Sequence, residues 1–377
     1  MRWYVPSRAP PGWRSMSYQA SDTPRQASRR PDALSHMGTL VLMGLLAGCG
    51  GGDADPVAPD ANQVACPSGW GTASFFRTVT PAQVEACVAA GESVIRGSPD
   101  SGETPLHLAG SFSSDPAVIR ALIDAGARPD ARNNDDDTAL CVAVERNENP
   151  SVIQALLDGG SQPNENCRWG FAPLHMAARF NANADVLDAL IRAGADVNLR
   201  ASPIYDENGN RIGQHGTPIQ IAAQYQDNPA VVDALVRAGA DLQGSLRSAT
   251  GNDGPRVLEI MSILISAGAD LSGALHSAIF NAVTDVTDFL ISAGADVNEG
   301  ISVEFIRGEP IEGATPLHFA AAATAGVNMG AVEALLEAGA DPNIQDSTGR
   351  TPLDWAESEG KTSLAELLRR YAGQTSG

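Results

Sequence analysis

The stretch Gly313–Asn343, GATPLHFAAAATAGVNMGAVEALLEAGADPN, decides how the rest of the chain is read. Thr315 offers a hydroxyl to the free N–H groups of a helix start, and Pro316 suits a first-turn position that has no intrahelical donor to lose. Leu317, Phe319 and Ala320 to Ala322 then predict a small-residue helix that a neighbour can approach closely. A second helix is expected over 331–338, where Val332, Leu335 and Leu336 share one apolar face. Gly339 ends it, because glycine takes the left-handed C-cap conformation at little cost, and Asp341-Pro342 turns the chain away. Two helices of this kind leave two apolar faces and no third element to cover them. The unit therefore has to stack on copies of itself.

The copies are present. T-P-L-H stands at Thr104–His107 and Thr315–His318, with variants at Thr138–Cys141, Ala172–His175, Thr217–Gln220, Gly273–His276 and Thr351–Asp354. The second-helix ending recurs as ALIDAGARPD from Ala121, ALLDGGSQPN from Ala155, ALIRAGADVN from Ala189, ALVRAGADLQ from Ala234, ILISAGADLS from Ile263, FLISAGADVN from Phe289 and ALLEAGADPN from Ala334. This pattern resembles the ankyrin repeat, whose period is about 33 residues and whose first helix opens on T-P-L-H-x-A. The resemblance covers the chain from about Trp70 to its C-terminus. It implies an all-α solenoid of about eight helix-turn-helix-loop repeats behind an N-terminal cap, with short β-hairpin fingers between repeats. The cap, expected over 66–99 with Trp70, Phe75, Phe76 and the helix PAQVEACVAA from Pro81, reads as an atypical repeat without its hairpin. The array proper then occupies 100–377.

Departures from the period say where the surface changes. Gly126, Gly160 and Gly194 are 34 residues apart, whereas Gly194 to Gly239 and Gly294 to Gly339 are each 45. The extra residues fall in Ile204–Ile212, with Asn208-Gly209 between β-formers, and in Ile301–Ile311, which alternates around Arg307-Gly308; both read as lengthened hairpin fingers. Gly239 to Gly268 and Gly268 to Gly294 are only 29 and 26 apart, which trims two fingers and leaves a notch between tall ones. The fifth repeat is degenerate, with Gly244-Ser245-Leu246-Arg247 in place of T-P-L-H. Ile204, Tyr205, Phe305 and Ile306 have no packing reason to be apolar on exposed fingers, so they are candidate partner-binding residues. The regular fingers at Arg132–Asp136 and Asn164–Trp169 are the alternative location.

The first 48 residues differ from the remainder. Six arginines precede the uncharged run Met37–Ala47, MGTLVLMGLLA, which leads into Gly48-Cys49. A basic region, a short apolar core and small residues read as a secretory signal over 1–48, with Met16 as a second possible start. Leu46-Ala47-Gly48-Cys49 resembles the lipobox of bacterial lipoproteins, which implies acylation of Cys49. Gly50 after the cysteine implies the outer membrane rather than retention at the inner one. Residues 49–65 carry too little apolar surface to fold and read as a flexible tether.

Export to an oxidising compartment would leave Cys66, Cys87, Cys141 and Cys167 to pair. Neighbouring fingers stack, so Cys66–Cys87 and Cys141–Cys167 are expected within disulfide reach. Metal binding by these cysteines is the rival reading, without any Cys-x-x-Cys spacing to support it. His107, His175 and His318 stand where the ankyrin histidine bonds loop backbone. Asp135-Asp136-Asp137 and Asp206-x-Asn208-x-Asn210 read as turns rather than cation sites. No phosphate loop, nucleophile elbow or zinc-protease motif occurs, so no enzyme, cofactor or metal is expected.

A formal charge of −20 argues against nucleic acid and favours a basic or neutral protein partner. The expected function is a monomeric, non-catalytic protein–protein interaction scaffold on a lipid tether, membrane-associated only through that lipid and facing the periplasm or the outside. The alternative is an envelope structural or protective protein without one specific partner.

Overall fold

The computed structural model describes residues 64–203, 216–281, 284–303, 311–323 and 326–373. The expected signal, lipidation site and tether up to residue 63 lie outside them. Eighteen α-helices, numbered in chain order, form two rows among these residues. The first helices are α1 (Ala73–Phe76), α3 (Pro105–Phe112), α5 (Ala139–Arg146), α7 (Pro173–Phe180), α9 (Pro218–Tyr225), α11 (Ser245–Ala249), α13 (Ala274–Phe280), α15 (Pro316–Ala322) and α17 (Pro352–Ser358). The second helices are α2 (Pro81–Ala89), α4 (Pro116–Asp124), α6 (Pro150–Asp158), α8 (Ala184–Arg192), α10 (Pro229–Arg237), α12 (Val257–Ser266), α14 (Thr284–Ser292), α16 (Met329–Glu337) and α18 (Thr362–Ala372). First helices pack on first helices from α1 through α17, and second helices follow the same order from α2 to α12. The core is a strip between the rows, filled by side chains such as Leu106, Ile119, Leu140, Ile153, Leu174 and Leu187.

The T-P-L-H motif works through its histidine. The Thr104 N–H and hydroxyl both reach His107 Nδ1, at 3.2 and 2.8 Å, while Nε2 lies 3.0 Å from the carbonyl of Asp137 in the next finger. A backbone N–H can only donate, so Nδ1 accepts, and the proton sits on Nε2 to donate onward. His318 repeats the arrangement with Thr315 and the carbonyl of Arg350, and His175 with Ala172 and Gly216. Each imidazole thus ties a helix start to the following repeat, and has to be neutral to do so. Burial holds all three below the ordinary histidine value, His175 at about 4.

Second helices begin on Asp115, Asn149, Asn183, Asn228 and Asn328, whose side chains accept from the first-turn backbone N–H groups. Asn328 puts the start of α16 at Met329, ahead of the expected Ala331. They end on glycines such as Gly126, at φ 95°, where Ala127 N–H returns to Leu122 O.

A ladder of amides joins the repeats further. Asn147 Nδ2 donates to Gly110 O and Ser113 O at 2.8 Å each, Asn181 to Val144 O and Asn147 O, and Asn252 to Ala223 O and Gln226 O. These carbonyls close first helices and have no partner inside them, so each amide satisfies a helix end and clamps a repeat boundary at once. Lys361 fills the last rung, its Nζ donating to Ala320 O and Ala323 O.

One expectation changes, and one is borne out. The cap does carry a finger turn, closed by Ser98 N–H to Glu103 O at 2.9 Å. The lengthened segment 301–311 is paired at its base, where β1 (Ile301–Val303) and β2 (Ile311–Ala314) run antiparallel with an irregularity between Ile301 and Val303.

Candidate protein-binding surface

Finger turns and first helices share one face of the array, since Arg146 at the end of α5 pairs with Glu103 of the cap finger at 3.3 Å. The finger between α6 and α7 is the most heavily fastened. Cys141, at the histidine position of its motif, is joined to Cys167 of that finger with sulfurs 2.06 Å apart. Beside the bridge, the fully buried Asp137 carboxylate accepts from the backbone N–H of Arg168 at 2.8 Å and from its Nη1 at 2.9 Å. The other arm of the guanidinium pairs with Glu145. Burial pushes the Asp137 carboxyl above its ordinary value, and the donors and charge of Arg168 oppose that push.

This fastening imposes an uncommon backbone. Trp169 sits at φ 60°, ψ 19° and Gly170 at φ 67°, with Phe171 N–H returning to Arg168 O at 3.3 Å. These are the angles of a type I′ turn, whose central positions favour Asn, Asp or Gly. A bulky side chain in the left-handed region costs about 1–2 kcal/mol. In return the indole stands at the finger tip, 38% exposed, with the Arg168 guanidinium 4.4 Å over it.

Trp169 continues into a wider surface. Its ring centroid is 6.0 Å from that of Phe180, also 38% exposed at the end of α7. Arg179 stacks over Tyr225 at 4.3 Å, Phe180 at 5.0 Å and Trp169 at 5.9 Å. Burial lowers the pKa of Arg179, and the nearby Arg168 charge lowers it further. Towards the cap, Arg77 lies 4.9 Å over Phe112, at the end of α3. Phe112, Phe180 and Tyr225 all stand five residues after the motif position held by His107, His175 and Gln220. That repeated offset is present in the sequence, but an aromatic at a helix end looks like core until its exposure is known.

The four cysteines fall as expected, with Cys66 and Cys87 also at bonding distance, 2.03 Å. Asp137 lies close enough to both sulfurs of the second bridge to complete a metal cluster. A metal would need free thiolates, and here the sulfurs bond each other while Asp137 is held by Arg168. Cys49, Ile204, Tyr205, Phe305 and Ile306 lie outside the described residues, as do His215 and Asp206–Asn210. At the trimmed fingers the chain enters α11 and α13 directly through Gly244 and Gly273. An open depression of about 690 Å³, lined by Ala240, Asp241, Leu242, Gln243, Ala267, Gly268 and Asp270, lies there without an aromatic side chain in its lining.

Comparison with known proteins agrees with this architecture. The profile for ankyrin repeats (three copies) matches residues 83–166, 106–201, 146–245 and 275–375, so the chain belongs to the ankyrin-repeat family. Such repeats are in general protein–protein interaction modules. Among curated proteins it is similar to the ARF GTPase-activating protein GIT2 of Mus musculus, 44% identical over 79 residues, covering 21% of this chain and 10% of that one. It is similar to the ARF GTPase-activating protein GIT1 of Homo sapiens at 44% over 79 residues, 21% and 9% of the two chains. The inactive serine/threonine-protein kinase TEX14 of Bos taurus is 36% identical over 93 residues, 24% and 5% of the two. The chain thus spans a tenth or less of the length of these relatives.

Proposed function

We propose that this protein is a non-catalytic binding scaffold, tethered by a lipid on Cys49 to the outer membrane of a bacterial envelope and holding another protein with its fingers and first helices. The observation that carries the binding reading is the aromatic and arginine surface around Trp169 and Phe180, each 38% exposed, whereas Phe75, Phe76, Phe171, Phe319 and Trp355 are buried. Aromatic residues and arginine are the side chains that dominate protein interfaces. The basic, apolar and Gly-Cys sequence over 2–49 supports the tether, and the two cysteine bridges fit a compartment that oxidises thiols.

Capture and crosslinking with the mature protein in envelope extract is the test. One partner retained in stoichiometric amount is expected, and recovery of none would favour a spacer or shield instead. Fatty-acid labelling that is lost in Cys49→Ser is expected for the tether; label retained by that variant contradicts it.

A further inference from the structure

The row of second helices has a break inside it. Their backbones lie close together at each step from α2 to α12 and again from α14 to α16, but among the described residues α12 and α14 do not approach in that way. The last step, α16 to α18, is also wide, yet there α17 packs closely on both α15 and α18, and Lys361 donates to Ala320 O and Ala323 O.

The sequence holds a cause for the inner break. Five residues before the glycine that ends a second helix stands alanine, at Ala121, Ala155, Ala189, Ala234 and Ala334; in α12 and α14 that place is held by Ile263 and Phe289. Ala155, Ala189 and Ala234 are buried, and a side chain that small lets neighbouring elements close on it. Isoleucine and phenylalanine add volume that the packing accommodates by standing apart, and both remain half-buried.

The other links across this junction make up little of the loss. Helix α11 has five residues against eight in α3, α5, α7 and α9, and it gives α13 the shortest contact in the row of first helices. The amide rung is thinner too. Asn281 Nδ2 reaches one carbonyl, Thr250 O, at 3.2 Å and the Thr250 hydroxyl at 3.4 Å, where Asn252 one repeat earlier has two carbonyls at 3.0 and 2.9 Å. Arg247 crosses to Ser272 O at 3.5 Å through a long side chain. In the loops after second helices, Asn164, Asn198 and Asn298 accept from the backbone N–H of Asp196, Asp241 and Asp341 one loop further on. Gln243 holds the equivalent place ahead of α11, and among the described residues no such bond joins it to Asp270. The depression of about 690 Å³ is lined by these two loops.

We propose that the junction of repeats five and six is a hinge, about which the stack ending in α12 and the stack beginning with α13 turn against each other. The second-helix side opens and closes, because the surviving links from Asn281 and Arg247 leave from first helices. Turning there changes the angle between the finger of Trp169 and the paired strands β1 and β2, which lie on opposite sides of the junction. The two fingers are then presented at different angles without any repeat unstacking, as in other hinged proteins.

The test is the spread of distances between pairs of spin labels, read by double electron–electron resonance on the full mature protein carrying Cys49→Ser, so that the introduced thiols are the reactive ones. Arg192→Cys with Ser266→Cys spans two closely packed steps, from α8 to α12, whereas Ser266→Cys with Glu337→Cys spans two steps that include the junction, from α12 to α16. All three residues are exposed and stand two before a helix-ending glycine, so the labels sit alike; melting temperatures near that of the parent are expected and are measured alongside. A distance distribution about twofold broader or more across the junction is the expected result. Equal widths would overturn the hinge, whether both are narrow, as in one rigid array, or both broad, as in an array that bends at every step.

Discussion

Repeats one to three, α3 to α8, and repeats five and six, α11 to α14, have nearly the same second-helix endings and differ at the start of the first helix. In the former, Thr104 and His107, or Ala172 and His175, hold the helix start and reach into the next finger. In the latter the chain arrives through Gly244 and Gly273 at φ 72° and 70°, α11 has only five residues, and the finger is gone. At Gly273 a carboxylate from outside the motif substitutes: Glu299 Oε2 accepts the Gly273 N–H at 2.9 Å, and its other oxygen accepts from Ser272. His276 still donates to Glu299 O and Ala314 O, but its Nδ1 has no hydrogen-bond partner among the described residues. The lesson is that the second-helix row carries the period, while the finger and first-helix start are the variable half. Exposed aromatic and arginine groups gather where that half is complete.

The largest expected effect separates the two regions covalently. Cys141→Ser with Cys167→Ser opens a bridge spanning 26 residues and should cost about 3 kcal/mol by freeing the unfolded chain. Hydrogen exchange should show the loss in α5 to α8 and leave α11 to α14 nearly as before; equal loss throughout would mean that the regions are not separate in stability.

Acid should affect both regions. Burial holds His175 and His276 at about 4, against about 6.5 for an exposed histidine. Between these values the unfolded chain binds protons that the folded chain refuses, so stability falls as pH drops from 6.5 towards 4 and is unaffected above that window. At pH 5 each histidine should remove roughly 2 kcal/mol. Urea midpoints at pH 7 and pH 5 measure it, and a His276→Gln variant should show less of the fall.

Restoring the motif threonine should harm rather than help. Gly273→Thr places a β-branched side chain at φ 70°, with Cβ 2.7 Å from Arg247 Nη2, and should cost about 1–2 kcal/mol in thermal unfolding. A gain would show that the trimmed region tolerates the full motif and that the contrast is one of sequence alone.

The smallest expected stability effect is at Trp169, on the proposed binding surface. Trp169→Asn relieves the left-handed strain but loses the contact with Arg168, worth about 0.5–1 kcal/mol at an exposed site. The melting temperature should therefore shift little, while binding suffers.

Much of this was legible from residues. Thr-Pro-Leu-His and the Ala-Gly-Ala-Asp endings specify the helix pair, the stacking and the trimmed fingers, because each acts within a few residues of itself. The cap finger was not: although Thr104–His107 follows it directly, Ser98–Glu103 has no Asn-Gly or Asp-Gly pair, and it is closed by short local bonds, Ser98 N–H to Glu103 O and Glu103 N–H to Ser101 Oγ among them. The amide ladder is also not legible from sequence, although Asn147 and Asn181 stand six residues after Cys141 and His175, because its partners lie a repeat away. Arg179 is a surface charge in the sequence. Only the stacking of α7 on α9 places it over Tyr225.

Hydrogen exchange of the full mature protein with and without its captured partner tests the central claim most directly. Added protection over 133–137, 167–180 and 217–226, with 240–273 unchanged, is the predicted result. Protection confined to 240–273, with none around Trp169 and Phe180, would contradict it.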